Sequence, residues 1–290
     1  MGLTAVHLHP SVGAEIRGID LAQEQGAETV AQIKALLDER ALLLFRNQHL
    51  TPAQFAHFSR GFGELRIHDM AKFRVPDQPE VTILSNILDE KGAQIGFVDV
   101  GHVWHTDASF LQQPHMYSFL HSIEIPMHNG QSIGSTWFVS SADAYDSLPA
   151  ETKTRITRLK AVHRFDNRYT KHKETTGQEA SRDTFKDRAP LPDVMHPVVR
   201  THPATGRKSL YINELATAGI VGMADDEARE LITMLCRHCT RESQIYRHQW
   251  QVGDVLIWDN CTAQHVAIGD YKLPQRRFLY KTTVQGAIPF

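Results

Sequence analysis

Three residue patterns in this chain of 290 residues could do chemistry. Histidine followed two places later by a carboxylate occurs as His105-Thr-Asp107 and as His172-Lys-Glu174. Two imidazoles and one carboxylate on one face form the donor set that holds Fe(II) while leaving coordination positions open for O2. A His-x-Asp pair shares one side when it lies at a strand end, because side chains there alternate with period two. Context separates the two pairs. His172 lies in a polar run, Thr170-Lys-His-Lys-Glu-Thr-Thr176, and reads as a surface residue. His105 is flanked by Trp104 and Phe110, where a partly buried pocket is expected. A distal partner is His265, just after the apolar run Val255–Trp258.

The second pattern, Gly130-Gln-Ser132-Ile-Gly134, matches the nucleophile elbow of α/β-hydrolases, which would use Ser132 with His265 as base. An elbow follows a strand directly and opens a helix. Here a polar Pro126–Asn129 connection precedes it and the β-favouring Ser135–Val139 follows, so the context argues against hydrolysis. The third pattern is Cys236-Arg-His-Cys239. It has no second Cys-x-x-Cys, and both thiols fall on the apolar stripe of a helix, so they read as core cysteines.

The elements that must position these residues are mostly strands. Val30, Ile33 and Leu37 recur at helical spacing and run into Ala41–Phe45, a buried strand. Thr51-Pro-Ala-Gln54 gives an N-cap, a Pro at the first helical position and a capping-box Gln. Strand-like pieces then dominate: Val81–Ser85, Met116–Ile123, Ser135–Val139, Val198–Thr201, Ser209–Ile212, Ile245–Trp250, Val255–Trp258 and Phe278–Val284. A late helix spans about Asp226 to Thr240. Many short strands with few helices predict a mainly β fold with outer helices (α+β), a sandwich or jelly roll, as a single domain over 1–290. The charged stretch Asp166–Asp193 shows almost no apolar periodicity and reads either as an active-site lid or as a surface insertion without a role.

Composition excludes some classes. A formal net charge of −2 gives no basic field for nucleic acid or an anionic membrane. No apolar run approaches the roughly 20 residues that span a bilayer, and the first residues read as no secretory signal. Three cysteines suit a reducing cytoplasm.

Together, Trp104-His-Thr-Asp107, Trp258-Asp-Asn260, His265 and Pro274-Gln-Arg-Arg277 resemble the TauD/TfdA family, whose members act on taurine, alkyl sulfates and phenoxyacetates. Gly63-Glu-Leu65, Ser135-Thr136 and His196–Pro203 extend the likeness along most of the chain. Gln112-Gln-Pro114 and Tyr246-Arg-His248 favour the phenoxyacetate branch. The resemblance implies a double-stranded β-helix and an iron- and 2-oxoglutarate-dependent dioxygenase. His105, Asp107 and His265 would ligate iron; 2-oxoglutarate and O2 would be cosubstrates.

An Arg would meet the far carboxylate of 2-oxoglutarate with two parallel hydrogen bonds. In the family a second basic residue follows that Arg by four positions, which selects Arg277 with Lys281 over Arg276 with Tyr280. This register requires one extra residue after His265, most simply Lys272. Thr136 would donate to the same carboxylate. His68, Arg168, Tyr169, Tyr211 and Lys281 map onto the substrate rim. Lys281 stands where taurine dioxygenase has an anion-binding Arg, and Cys261 where an Arg commonly follows Trp-Asp-Asn. Cationic and aromatic rim residues imply a small carboxylate or sulfonate with an apolar or aryl body. The family also allows a homodimer or homotetramer. A non-enzymatic jelly-roll binding protein would not need the metal triad, yet all three ligands are present.

Overall fold

The computed structural model describes residues 3–98, 101–177 and 190–290. The chain opens with β1 (Thr4–His7), β2 (Ala14–Arg17), α1 (Ala27–Arg40), β3 (Leu42–Phe45), α2 (Pro52–Arg60), β4 (Arg74–Val75) and β5 (Gln78–Ser85). The start of α2 follows its sequence signal: the Thr51 hydroxyl accepts from Gln54 N–H, and the Gln54 side chain returns to Thr51 N–H. The middle supplies β6 (His115–Glu124), a hairpin of β7 (Met127–His128) and β8 (Gln131–Ser132), then β9 (Thr136–Ser140), α3 (Ser141–Asp146) and α4 (Ala150–Ile156). Next come β10 (Lys160–His163), α5 (Asn167–Thr176), β11 (Val194–Pro197), β12 (Val199–Thr201), β13 (Lys208–Leu210) and β14 (Thr217–Ile220). Finally α6 (Asp225–Cys239) leads to β15 (Tyr246–His248), β16 (Val255–Asp259), β17 (Ala263–Ala267) and β18 (Phe278–Gln285).

Alternation along two wholly apolar strands sets the layers. The larger sheet has the order β1-β2-β3-β16-β6-β18-β5-β4, and a smaller one has the order β15-β9-β17. From β3 and β16, Leu42, Leu44, Leu256 and Trp258 point inward and share a core with Phe138 and Ala263 of the smaller sheet. The residues between them, Leu43, Phe45, Val255 and Ile257, point outward beneath Ile33 and Leu37 of α1 and Phe55 and Phe58 of α2. This is the predicted jelly roll with outer helices. A third cluster packs α3 and α6 over the far end, where Cys236 and Cys239 are buried core residues.

One expectation changes. Within Asp166–Asp193, residues 167–176 form α5. Only Tyr169 of that helix is buried, so no apolar stripe announced it. Asn167 Nδ2 donates to Leu215 O at 3.0 Å, and Gly177 closes the helix in the left-handed region at φ 72°. Residues 178–189 of the predicted lid lie outside the described residues.

Leu256 is fully buried between the sheets. Leu256→Ala is expected to destabilise the fold by about 2–5 kcal/mol in urea titration. Val252→Ala, at a position 56% exposed, should cost less than about 0.5 kcal/mol.

Candidate metal centre and active site

The loop before β6 carries His105 and Asp107, and β17 carries His265. His105 and His265 exchange backbone hydrogen bonds, N–H to O at 3.0 Å one way and 2.8 Å the other. This bridge brings their rings to 4.1 Å between centroids. Gly101 permits the approach: it has φ 83°, and a Cβ there would come within 3.1 Å of His105 Cε1. Asn260 ties the loop to the sheet. Its Oδ1 accepts from Trp258 Nε1 at 3.0 Å and from Asp107 N–H at 3.2 Å, and its Nδ2 donates to Ser118 Oγ at 3.0 Å. Thr106 Oγ1 donates to the Asn260 carbonyl at 2.9 Å. The Trp-Asp-Asn motif thus acts through Asn260, which holds the His-x-Asp turn in place.

Ligand atoms of His105, Asp107 and His265 lie within 4.8 Å of one another, all three residues buried. His105 Nδ1 donates to Val103 O at 2.8 Å, which orients the ring with Nε2 toward Asp107 and His265. That Nε2 is 3.7 Å from Asp107 Oδ1, too far for a hydrogen bond. Asp107 Oδ2 instead accepts from Ser118 Oγ at 2.6 Å and from Lys281 Nζ at 2.8 Å. One carboxylate oxygen is therefore held by the protein while the other faces the histidines. Burial pushes the Asp107 carboxyl up, but Lys281, His105 and His265 together hold it well below the usual range, so it is anionic. Burial, then the neighbouring His105, keeps His265 neutral. Two imidazoles and one carboxylate fit a divalent first-row ion.

Two lobes of one cavity, about 170 and 130 Å³, meet at His105, Asp107 and Lys281. The smaller lobe holds Thr136 and Arg277. Arg277 is 8% exposed, its Nε has no partner, and its guanidinium stacks 5.9 Å from Trp250 and 5.7 Å from Tyr271. Tyr271 lies against Gly134, where a Cβ would come within 2.9 Å of the ring at φ 72°. Thr136 Oγ1 accepts from Trp250 Nε1 at 3.0 Å, which leaves its own proton free to donate into the lobe. Arg276 points the other way, pairing with Glu124 at 3.2 Å with its side chain 53% exposed.

In the larger lobe are His68, Arg168 and Lys281, with an apolar wall that includes Phe97, Phe110 and Phe165. Tyr169 and Tyr211 line neither lobe, which corrects their assignment to the rim. Tyr169 lies behind Phe165, ring centroids 6.4 Å apart. Tyr211 is turned into the core between His163 and His196, with Arg200 4.7 Å from its ring. His172, read as a surface residue, is half-buried 5.9 Å from His102, itself part of the smaller lobe. Arg66 and His115 line the larger lobe and were not singled out from sequence. The available signal for Arg66 is its position two residues before His68, whereas His115 has none.

A second group, His202, Asp259 and Cys261, also gathers metal-type donors. His202 Nδ1 accepts from the N–H groups of Ala204 and Thr205 at 3.2 and 3.1 Å, so Nε2 carries the proton and points at Asp259 Oδ2, 3.3 Å away. Asp259 accepts from Cys261 N–H and Thr262 Oγ1, while His202 Nε2 makes no hydrogen bond of its own. This group is a hydrogen-bonded brace rather than a metal site. Ser132, the hydrolase candidate, lies in the β7–β8 hairpin and opens no helix.

The family described as "Taurine catabolism dioxygenase TauD, TfdA family" matches residues 4–283. The alpha-ketoglutarate-dependent 2,4-dichlorophenoxyacetate dioxygenase of Cupriavidus pinatubonensis is 34% identical, over 99% of this chain and 100% of its own. The alpha-ketoglutarate-dependent sulfate ester dioxygenase of Pseudomonas putida is 31% identical, over 97% of this chain and 90% of its own. Among solved structures, a taurine dioxygenase from Burkholderia xenovorans has a TM-score of 0.81 at 30% identity, covering 99% of this chain and 90% of that one. AAD-2 in complex with Mn(II) and N-oxalylglycine has a TM-score of 0.78 at 26% identity, covering 100% of this chain and 99% of that one.

Proposed function

Because the chain belongs to the TauD/TfdA dioxygenase family, we propose that it is an Fe(II)- and 2-oxoglutarate-dependent dioxygenase of small organic acids. It hydroxylates a carboxylate, sulfonate or sulfate with an apolar or aryl body, and releases succinate and CO2. The observation that carries this reading is the pair of lobes meeting at one buried triad, with Arg277 in the smaller lobe and Arg66 and Arg168 in the larger. His105, Asp107 and His265 would hold the iron, which would supply the O2 chemistry. Arg277 grips the far carboxylate of 2-oxoglutarate through parallel N–H bonds, and Thr136 adds its hydroxyl. The family relatives named above, acting on a phenoxyacetate and on sulfate esters, support an acidic substrate.

The aromatic wall of the larger lobe holds the substrate's apolar body beside the triad and keeps water from it. His68 and Arg168 lie at the rim of that lobe. Arg168 comes from α5, so the described part of 166–193 serves as a cover over the substrate rather than as an idle insertion. No helix among the described residues is long and apolar enough to cross a membrane.

The test is succinate release under Fe(II) and 2-oxoglutarate across phenoxyacetates, alkyl sulfates, alkanesulfonates and other carboxylates. Succinate that depends on both iron and 2-oxoglutarate, stimulated by at least one acid, is expected. Ser132→Ala should not change it. Iron-independent ester hydrolysis lost in Ser132→Ala would instead establish the hydrolase.

A further inference from the structure

Arg277, just before β18, and Leu279, Lys281 and Thr283 within it face inward. By position, Lys281 is the cation expected to meet the substrate's acid. Its ammonium, however, lies 2.8 Å from Asp107 Oδ2 in a side chain only 21% exposed. The ammonium is therefore already committed to a metal ligand, and an acid binding it would have to compete with that contact.

Arg66 differs. Its backbone N–H donates to Thr283 O at 2.9 Å, which sets it two residues beyond Lys281 along the strand, about 7 Å farther. Its guanidinium lines the larger lobe and meets no carboxylate, carbonyl or hydroxyl among the described residues. His115, across from Gln285 in the β18–β6 register, lines the same lobe with a buried Nδ1 that has no hydrogen-bond partner. An unpartnered guanidinium thus belongs to one partly desolvated space, with the His115 ring beside it. A planar guanidinium there is complementary to a carboxylate or a sulfur oxyanion.

We propose that Arg66, with His115 beside it, binds the acidic group of the substrate, and that Lys281 is a positioning residue for Asp107. The assignment rests on reading the larger lobe as the substrate's. Ser118 and Lys281 hold Oδ2, which leaves Oδ1 alone to face the metal and fixes the carboxylate's rotation. Outer partners of a metal ligand set its orientation and hence metal affinity.

The experiment separates the two roles. Mn(II) affinity is measured by calorimetry on the metal-free protein, and the KM of the best acid from the panel is measured with Fe(II) and 2-oxoglutarate. Arg66→Gln should raise that KM about 10- to 100-fold, the loss of a charge-assisted bond, and leave Mn(II) affinity within about twofold of the unmodified protein. Lys281→Met should weaken Mn(II) binding about 10- to 100-fold, and Lys281→Arg, which keeps a cation against Oδ2, should restore most of it. The proposal is overturned if Lys281→Met raises the acid's KM at unchanged Mn(II) affinity, or if Arg66→Gln leaves KM untouched. Absence of turnover by the unmodified protein with every acid would contradict the dioxygenase reading itself, and the Mn(II) measurements would still decide the role of Lys281.

Discussion

Replacing His265 by Ala is expected to abolish iron-dependent succinate release while the protein still unfolds cooperatively. The imidazole is buried and carries no structural hydrogen bond: its Nδ1 has no partner, and β17 is held to its neighbours through backbone bonds that Ala retains. Truncation removes one of three metal donors and opens a small cavity beside Phe138 and Trp258, whose rings lie 5.7 and 4.7 Å away. The stability loss should therefore be modest, on the order of the 0.5–3 kcal/mol of ordinary substitutions. Catalysis should fall to background. Asp107→Ala should behave alike in activity but cost more stability, because it leaves the half-buried Lys281 ammonium without its counter-charge. Succinate formation and urea melts on the same preparations check both outcomes. Full activity in His265→Ala would remove the triad from the mechanism.

The second large effect concerns Arg277. Removing one partner of a buried charge pair costs about 2–5 kcal/mol, so Arg277→Ala should raise the 2-oxoglutarate requirement from about 30-fold to several thousand-fold. Arg276→Ala removes only an exposed ion pair with Glu124, and its effect should stay within about 1 kcal/mol. Two titrations of initial rate against 2-oxoglutarate decide the matter. A reversed order of effects would show that the register of β18 had been misassigned.

The distinction between those neighbours comes from the family resemblance, whose second basic residue four positions on selects Arg277 with Lys281. Alternation adds only that Arg276 faces the other way, where it pairs with Glu124. His-x-Asp was legible because that pattern is local, and the distant His265 because it follows the apolar run Val255–Trp258. What alternation hides is which layer each residue of Leu42–Phe45 or Val255–Trp258 faces, since both faces of these strands are buried. The helix α5 was not legible because a surface helix resting on one buried tyrosine has no periodic stripe. Tyr211 failed as a rim residue because an offset carried over from a family gives a place in the chain and not a direction. The end of β13 turns its ring toward Arg200 and the two histidines behind it. Arg66 was missed for the complementary reason: no motif marks it, and only the pairing of residue 66 with Thr283 sets it in the cavity.

The most direct measurement is a crystal structure of the protein grown with Mn(II) and N-oxalylglycine, a pair already seen together in AAD-2. The expected result is one Mn(II) ligated by His105, Asp107 and His265, with the inhibitor lying in the smaller lobe and its far carboxylate on Arg277 and Thr136. Metal held instead by His202, Asp259 and Cys261, or the inhibitor's carboxylate on Arg276, would contradict it.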